Sequence, residues 1–377
     1  MKSRLGLLIV AVVMAASGPA AQNRVLVLEG GTLIDGTGKP PVADAVIVST
    51  GGRITAVGAR GQVSVPSGAT VLRLNGRTIL PGLIDGHVHL RDYQVPMFLP
   101  YGITTIADIH NDTAWSIAQR DALNSGRIKG PRMFVSGARV TGPLGSPTTD
   151  GSFVRTPEEA RAYVRKLKAA GVDHIKVDLT ITDEQLRAVI EESNAVGLKV
   201  LGHTQNIRKA VEMGFKHMEH TDTMARALLV QAGQPLPTSG SPEALVDPKL
   251  FPPLIDYLVK QGVYVNPTLY LIWGGSTERW RDWTAAAAPV AKDPRLAFVP
   301  ASAKDAWVRQ PRPRAGYDRA AEFLRQYSEA GGKILAATDT GCCEQIVPGL
   351  SLHYEMQMLT DLGVAPMKAI QGATLWA

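Results

Sequence analysis

Two patterns of hydrophobic and polar positions divide the chain. Up to about residue 80, short runs rich in β-branched residues, such as Ala45-Val46-Ile47-Val48 and Thr70-Val71-Leu72-Arg73-Leu74, are separated by Gly, Pro and Asp. Runs of this length between turn-forming residues are typical of strands. Residues 22–80 are therefore predicted to form a small β-sandwich-like module.

From residue 81 onward, predicted strands alternate with predicted helices. Thr156-Pro157-Glu158-Glu159 has the composition of a helix start, and Gly171 ends the amphipathic run that follows. The segment His174-Ile175-Lys176-Val177-Asp178-Leu179 then has the apolar content of a strand. The same order recurs, which predicts further strands at 78–89, 102–108, 132–140, 198–203, 215–220, 263–268 and 333–339.

Eight strands alternating with helices indicate an α/β fold with a parallel sheet. The segment 81–377 is close to the typical TIM-barrel size of about 250 residues, so a (β/α)8 barrel is predicted. An open doubly wound sheet is the alternative, but no Gly-x-Gly-x-x-Gly motif stands at a strand-to-helix turn. Two irregular stretches, 231–253 and 273–316, are expected to be loops at the rim that carries the carboxyl ends of the strands.

Charge composition argues against a nucleic-acid partner. The chain has 40 Lys and Arg residues against 34 Asp and Glu, a formal net charge of +6, and the basic residues are interleaved with acidic ones. A scattered excess of this kind is typical of an ordinary soluble surface. A small-molecule partner is expected instead, and the oligomeric state stays open, a homo-oligomer included.

The first 21 residues resemble a secretory signal peptide. Lys2 and Arg4 precede an apolar run of about 12 residues, which is too short to span a bilayer, and small residues follow up to Ala21. Cleavage after Ala20 would leave a net charge of 6 − 2 = +4. The mature protein is expected to be periplasmic or secreted and free of the membrane. A buried N-terminal helix is the alternative.

Two adjacent cysteines, Cys342 and Cys343, are the only ones in the chain. A disulfide between neighbouring residues departs from the usual geometry. Two free thiols beside a functional loop are therefore expected.

Polar residues capable of metal chemistry stand at the carboxyl ends of the predicted strands, where barrel active sites form. Neutral imidazole and carboxylate are ligands of zinc and related metals, whereas a lysine ammonium has no lone pair to offer. Because side chains alternate along a strand, the first two histidines project to the same side. The residues are His87, His89, Lys176, His203, His220 and Asp339.

These residues lie in motifs that resemble the amidohydrolase superfamily, and within it the group of imidazolonepropionases and Xaa-Pro dipeptidases. The resemblance extends from Val25 onward. It rests on Leu80-Pro81-Gly82-Leu83-Ile84-Asp85-Gly86-His87-Val88-His89, Gly102-Ile103-Thr104-Thr105, Ile175-Lys176-Val177, Gly202-His203, Glu219-His220, Ala337-Thr338-Asp339-Thr340-Gly341 and Ala369-Ile370-Gln371-Gly372-Ala373-Thr374.

The resemblance implies two divalent metal ions, with zinc as the expected metal. A carbamate formed by carbon dioxide on Lys176 would bridge them, and Asp339 would act as proton shuttle. His87, His89 and Asp339 would hold the first metal, and His203 and His220 the second. Thr204-Gln205-Asn206 stands where deaminase members carry a glutamate, so hydrolysis is favoured over deamination.

The expected activity is hydrolysis of a C–N bond in an amide, cyclic amide or dipeptide. Alternatives are an Xaa-Pro-type dipeptidase or carboxypeptidase, an esterase or lactonase, and a non-catalytic metal-binding barrel. Tyr270 resembles the position of a substrate-binding tyrosine in peptidase-like relatives. His110 closes the second strand near the same mouth, where a substrate contact and a surface position are both open.

Two features depart from the relatives. Many relatives carry a Gly-Gly-His element after the third strand, where this chain has Thr141-Gly142-Pro143-Leu144-Gly145-Ser146-Pro147. Relatives also continue beyond the Ala-Thr motif with strands that complete the small β module, whereas this sequence stops at Ala377. The module is therefore expected to be incomplete at the C-terminal side, or the sequence to be a fragment.

Overall fold

The computed structural model describes residues 25–146, 152–237, 239–309 and 313–377. The signal peptide predicted at residues 1–21 lies outside the described residues. Within them, the chain forms two compact units, one of residues 25–35 and 39–80 and the other of residues 36–38 and 81–377.

The smaller unit contains one five-stranded sheet. Its order is β3-β2-β1-β4, with β5 also pairing with β1, and β1 to β3 are antiparallel while β4 and β5 run parallel to β1. Alternating residues of β2 enter two apolar clusters, since Val46 and Val48 pack with Val27, whereas Ala45 and Ile47 pack with Leu33. A second, facing sheet is not found among residues 25–80, so the sandwich-like arrangement stays a prediction. The strands are β1 (Val25–Leu33), β2 (Val42–Thr50), β3 (Arg53–Ala59), β4 (Thr70–Arg73) and β5 (Thr78–Ile79).

The described residues of the larger unit form eight strands at the predicted positions, each shorter than the segment predicted for it. They are β6 (Leu83–Val88), β7 (Ile103–Asp108), β8 (Arg132–Val135), β9 (His174–Val177), β10 (Lys199–Gly202), β11 (His217–Glu219), β12 (Tyr264–Asn266) and β13 (Lys333–Ile334).

All pairings between these eight strands are parallel. They form the groups β6-β7-β8, β9-β10 and β11-β12-β13. Isolated bridges join Val140 to Val177 and Val88 to Thr340, so the segment after β13 lies beside β6. The arrangement is a mixed α/β fold consistent with a TIM-barrel-like domain.

Thirteen α-helices lie in the described part of the larger unit. The helix starts follow the local sequence: the side chain of Thr156 accepts a hydrogen bond from the backbone of Glu159, and Thr182 forms a capping box with Gln185. The helices are α1 (Val95–Phe98), α2 (Thr113–Asn124), α3 (Pro157–Ala170), α4 (Asp183–Ala195), α5 (Ile207–Glu212), α6 (Asp222–Gln231), α7 (Phe251–Lys260), α8 (Leu269–Trp273), α9 (Trp280–Ala291), α10 (Ala301–Trp307), α11 (Tyr317–Glu329), α12 (Leu350–Asp361) and α13 (Pro366–Gly372).

The prediction of a long loop over residues 273–316 was wrong for much of that stretch, which contains α9 and α10. The alanines of α9 have high helix propensity, and its Trp280, Trp283 and Ala287 are buried on one face. Residues 231–253 contain two short 3-10 helices, Pro242–Leu245 and Pro248–Leu250. Throughout the described ranges, every helix is too short or too polar to cross a membrane.

Candidate metal centre

The two histidines at the end of β6 face the carboxylate of Asp339. The Nε2 atoms of His87 and His89 lie 3.4 and 3.1 Å from Asp339 Oδ1. Their ring centroids are 5.5 Å apart. The side-chain alternation of β6 thus brings both imidazoles to one carboxylate that is distant in sequence.

His220, after β11, approaches the same carboxylate, and His203, after β10, stacks on His220. His220 Nε2 lies 3.8 Å from Asp339 Oδ2, and the His203 and His220 rings are stacked with centroids 4.8 Å apart. One ligand atom each from His87, His220 and Asp339 can be chosen so that all lie within 4.8 Å of one another. The structure therefore brings four histidines and one aspartate, predicted from separate strand ends, into one cluster.

His87 is oriented by Glu219, a residue to which the sequence analysis gave no role. Glu219 is 1% exposed, and its Oε2 lies 2.7 Å from both His87 Nδ1 and Asn266 Nδ2. Its Oε1 lies 3.2 Å from His217 Nδ1. Burial opposes ionisation, but attraction to His87 and the hydrogen bond with His217 hold the pKa of Glu219 well below its usual range. An ionised Glu219 keeps the proton of His87 on Nδ1, so Nε2 carries the lone pair that faces Asp339.

Two further histidines of the cluster, His89 and His220, are oriented through Nδ1 in the same way. His89 Nδ1 lies 3.0 Å from the carbonyl oxygen of His110, and His220 Nδ1 lies 2.5 Å from Thr268 Oγ1. The Thr268 hydroxyl donates to the carbonyl oxygen of Pro267, so it accepts from His220. A histidine whose Nδ1–H is held by an oxygen presents Nε2 as ligand, which is the usual arrangement in metal sites.

Lys176 lies at the end of β9 with its side chain 1% exposed. Within the described ranges its Nζ has no hydrogen-bond partner. Burial lowers the pKa of Lys176, although attraction to Glu219 and Asp339 opposes this effect. The uncharged amine is therefore favoured more than on an exposed lysine.

The backbone of three cluster residues is left-handed. The φ angles are 61° at His220, 45° at Thr268 and 60° at Asp339. Asp339 is held there by a hydrogen bond from its N–H to the carbonyl oxygen of His87, at 2.8 Å. Burial disfavours the charged form of Asp339, but attraction to His87 and the hydrogen bond with His89 outweigh it and hold the pKa well below the ordinary value. The carboxylate is therefore ionised at neutral pH.

A cavity of about 630 Å³ opens beside His89. His110 lines it, and the Nδ1 of His110 accepts a hydrogen bond from the backbone of Arg139 at 3.3 Å. Arg91, Arg139 and Lys166 give this cavity a basic lining. His110 thus borders open space next to the cluster, where a substrate could bind.

Tyr270 lies in an aromatic cluster instead. It is 2% exposed and its ring centroid is 5.3 to 5.5 Å from those of Trp280, Trp283 and Tyr354. It is absent from the lining of the cavity beside His89. A substrate contact by Tyr270 stays a prediction.

The comparison with known families identifies the chain. A family model described as the amidohydrolase family matches residues 78–376. The chain belongs to the amidohydrolase family. This confirms the resemblance drawn from the motifs. None of the curated proteins matches this amidohydrolase in sequence.

Three solved structures show the fold that this amidohydrolase shares. A Xaa-Pro dipeptidase with bound methionine in its active site is 22% identical, with a TM-score of 0.65 over 93% of this chain and 87% of that one. Molinate hydrolase is 21% identical, with a TM-score of 0.66 over 94% and 84%. Bottromycin amidohydrolase is 21% identical, with a TM-score of 0.67 over 93% and 77%. Family and neighbours support a hydrolytic enzyme with a small-molecule substrate.

The donor set of this amidohydrolase fits a divalent metal. His87 Nε2 and Lys176 Nζ are buried and, among the residues described, make no hydrogen bond, while Asp339 Oδ1 faces His87 Nε2 and His89 Nε2 at 3.4 and 3.1 Å. Buried polar atoms are normally paired, so their convergence indicates a missing partner. Burial lowers the pKa of His87 to about 4, which keeps the imidazole in the neutral form that binds metals.

Proposed function

We propose that the protein hydrolyses a C–N bond in an amide, cyclic amide or dipeptide by means of two divalent metal ions, with zinc as the expected metal. The observation that carries this proposal is the orientation of His87, His89 and His220. Each has Nδ1 held by an oxygen, and each directs Nε2 towards the carboxylate of Asp339.

His87, His89 and Asp339 would hold the first ion, and His203 and His220 the second. When bound, such ions lower the pKa of a water molecule towards about 7 and polarise the substrate carbonyl. The proposed role of Lys176 is to supply a bridging carbamate, for which its Nζ bonds the carbon of carbon dioxide and loses a proton. This role is supported by the burial of Lys176 and by the absence of a hydrogen-bond partner for Nζ in the described part of the chain, because only the uncharged amine can react.

Asp339 would move the proton. Its carboxylate lies 3.1 to 3.8 Å from the Nε2 atoms of three imidazoles, so it is placed to accept a proton from the attacking water and to pass it to the leaving nitrogen. His110 would contact the substrate from the cavity wall, because it lines the cavity beside His89.

A dipeptidase or carboxypeptidase of the Xaa-Pro type is the second candidate. A structural neighbour is a Xaa-Pro dipeptidase, and another is a prolidase complexed with a phosphonate analogue that contains proline. The cavity lining supports a substrate with a free carboxylate, since Arg91 and Lys166 supply positive charge there, whereas Arg139 is paired with Asp178 at 3.1 Å. An esterase or lactonase would use the same attacking water. A non-catalytic metal-binding barrel would bind the metals without activating a water for attack.

A substrate panel with metal-loaded protein tests the proposal. We expect turnover of at least one amide, cyclic amide or dipeptide, and loss of that turnover in Asp339→Asn, which keeps the size of the side chain but cannot accept the proton. Faster hydrolysis of esters would favour the esterase alternative. Full metal loading without turnover of any amide, ester or dipeptide would support the non-catalytic barrel.

Export and barrel closure are further proposals. Cell fractionation and N-terminal sequencing of the mature protein test whether residues 1–21 are removed, and an intact Met1 on cytosolic protein would contradict export. Closure of the eight strands is supported by the bridge between Val88 and Thr340.

A further inference from the structure

The two cysteines of the chain lie in contact in the turn that follows Asp339. Cys342 is exposed, Cys343 is half-buried, and their Sγ atoms are 3.2 Å apart. Neighbouring side chains in an extended segment point in opposite directions, so the contact requires a folded backbone. We propose that Cys342 and Cys343 form a reversible thiol–disulfide site, oxidised by small disulfides, and that its oxidation weakens the adjacent metal centre.

The backbone of the turn holds the two sulfurs together. The N–H of Cys342 donates to the carbonyl oxygen of Asp339 at 3.1 Å, and Cys343 forms a bridge with Thr340. A disulfide needs its sulfurs about 2.05 Å apart. The sulfurs must approach by about 1 Å, and because the Cα atoms of neighbouring residues lie only about 3.8 Å apart, closer than in most disulfides, the bond strains the turn.

A small disulfide can reach this pair. Cys342 lines the cavity of about 630 Å³ beside His89, together with Arg91 and Gly341. One protein thiolate attacks a sulfur of the oxidant, so the oxidant's S–S bond breaks, a mixed disulfide forms and one thiol leaves. The second cysteine then attacks the mixed disulfide and releases the second thiol. The protein loses two protons and two electrons, which together equal two hydrogen atoms, and the oxidant gains them.

The turn is closely packed against the proposed metal ligands. Asp339 begins it, and the N–H of His89 donates to the carbonyl oxygen of Thr340 at 2.6 Å. A Cβ on Gly341 would lie 1.8 Å from the carbonyl oxygen of His89, so the two backbones are already in contact. Strain in the backbone of this turn is therefore passed on to Asp339 and His89. This second part of the inference rests on the proposed function, whereas the formation of the disulfide does not.

Thiol trapping tests the first part. The full chain is equilibrated in mixtures of reduced and oxidised glutathione, quenched with acid, alkylated and weighed intact. Because the chain contains two cysteines, we expect either two alkyl groups or none, and the unalkylated form lighter by two hydrogens. A retained glutathione adduct, a disulfide-linked dimer or two alkylatable thiols at every ratio would overturn the proposal. In Cys342→Ser and Cys343→Ser, the remaining thiol should instead keep the glutathione.

Competition with a chromophoric chelator tests the second part. Oxidised protein should bind Zn²⁺ about tenfold or more weakly than reduced protein, which is the size of effect seen when support of a metal ligand is disturbed. The double variant Cys342→Ser/Cys343→Ser should show the same affinity with and without oxidant. Equal affinities of the two wild-type forms would overturn the link to the metal centre. Neither measurement uses turnover, so an inactive substrate panel would leave both results interpretable.

Discussion

Replacement of Glu219 tests whether the buried hydrogen bonds around His87 set the metal affinity. One oxygen of the Glu219 carboxylate accepts hydrogen bonds from His87 and Asn266, and the other accepts one from His217. Glutamine keeps the shape and one acceptor but removes the charge. Alanine removes every bond and leaves two buried donors without a partner.

The expected magnitude follows from these contacts. Loss of an outer partner of a metal-binding histidine costs about 10–100-fold in metal affinity, or about 1.4 to 2.7 kcal/mol. Glu219→Gln should lie near the lower end, because a hydrogen bond to a charged group is stronger than one to a neutral amide by about 1 kcal/mol. Glu219→Ala should lie near the upper end.

Metal affinity is measured by chelator competition, with urea unfolding to verify that each variant is folded. His217→Phe is the matched control. This substitution keeps an aromatic ring stacked on Tyr264 and removes the hydrogen bond from position 217 to Glu219, so the metal affinity should change little. Metal binding by both Glu219 variants at the level of the unchanged protein would refute a supporting role for this carboxylate.

Three further predictions concern Lys176, Gly341 and Glu355. Lys176→Ala should lower bound metal from about two ions per chain to one or none. The control Lys166→Ala, on the cavity wall, should keep both ions. Two bound ions in Lys176→Ala would exclude a bridging carbamate. Gly341→Ala should lower the free energy of unfolding more than Gly331→Ala. Both glycines have left-handed φ angles, which cost alanine about 1–2 kcal/mol. Only at Gly341 would the added Cβ also meet a backbone oxygen, at 1.8 Å. Equal decreases in the free energy of unfolding of the two variants would contradict that clash. Burial raises the pKa of Glu355 from 4.5 to about 8. Between these pH values the carboxyl group is therefore protonated in the folded protein and ionised in the unfolded chain. The free energy of unfolding should therefore fall as pH rises from about 5 to about 9, and Glu355→Gln should remove that component; a difference between the two proteins that is independent of pH would contradict the shift.

Local patterns were sufficient to predict much of the fold. The cap at Thr156 and the stop at Gly171 predicted the ends of one helix, because each is decided by residues within one turn. The helix α9 was missed because its buried face depends on contacts with distant segments, such as the stacking of Trp283 on Tyr354. In the sequence, the tryptophans and arginines of residues 273–316 follow no clear helical period.

The candidate site was predictable to the extent that strand ends predict convergence. Strand alternation placed His87 and His89 on one side, and both Nε2 atoms do lie within 3.4 Å of Asp339. The support by Glu219 was not predictable in the same way, since it lies 132 residues from His87 in sequence. A glutamate at the end of a predicted strand, directly before the candidate ligand His220, is the signal that could have indicated it.

The left-handed backbone at His220, Thr268 and Asp339 has a consequence for thermal tolerance. Each non-glycine residue in this conformation costs about 1–3 kcal/mol that the rest of the fold must offset. Glycine at any of the three positions would relieve that cost and remove a proposed ligand or its hydrogen-bond partner. Variants selected for heat resistance alone would therefore tend to lose the metal centre, and stabilising substitutions should be sought away from these three residues.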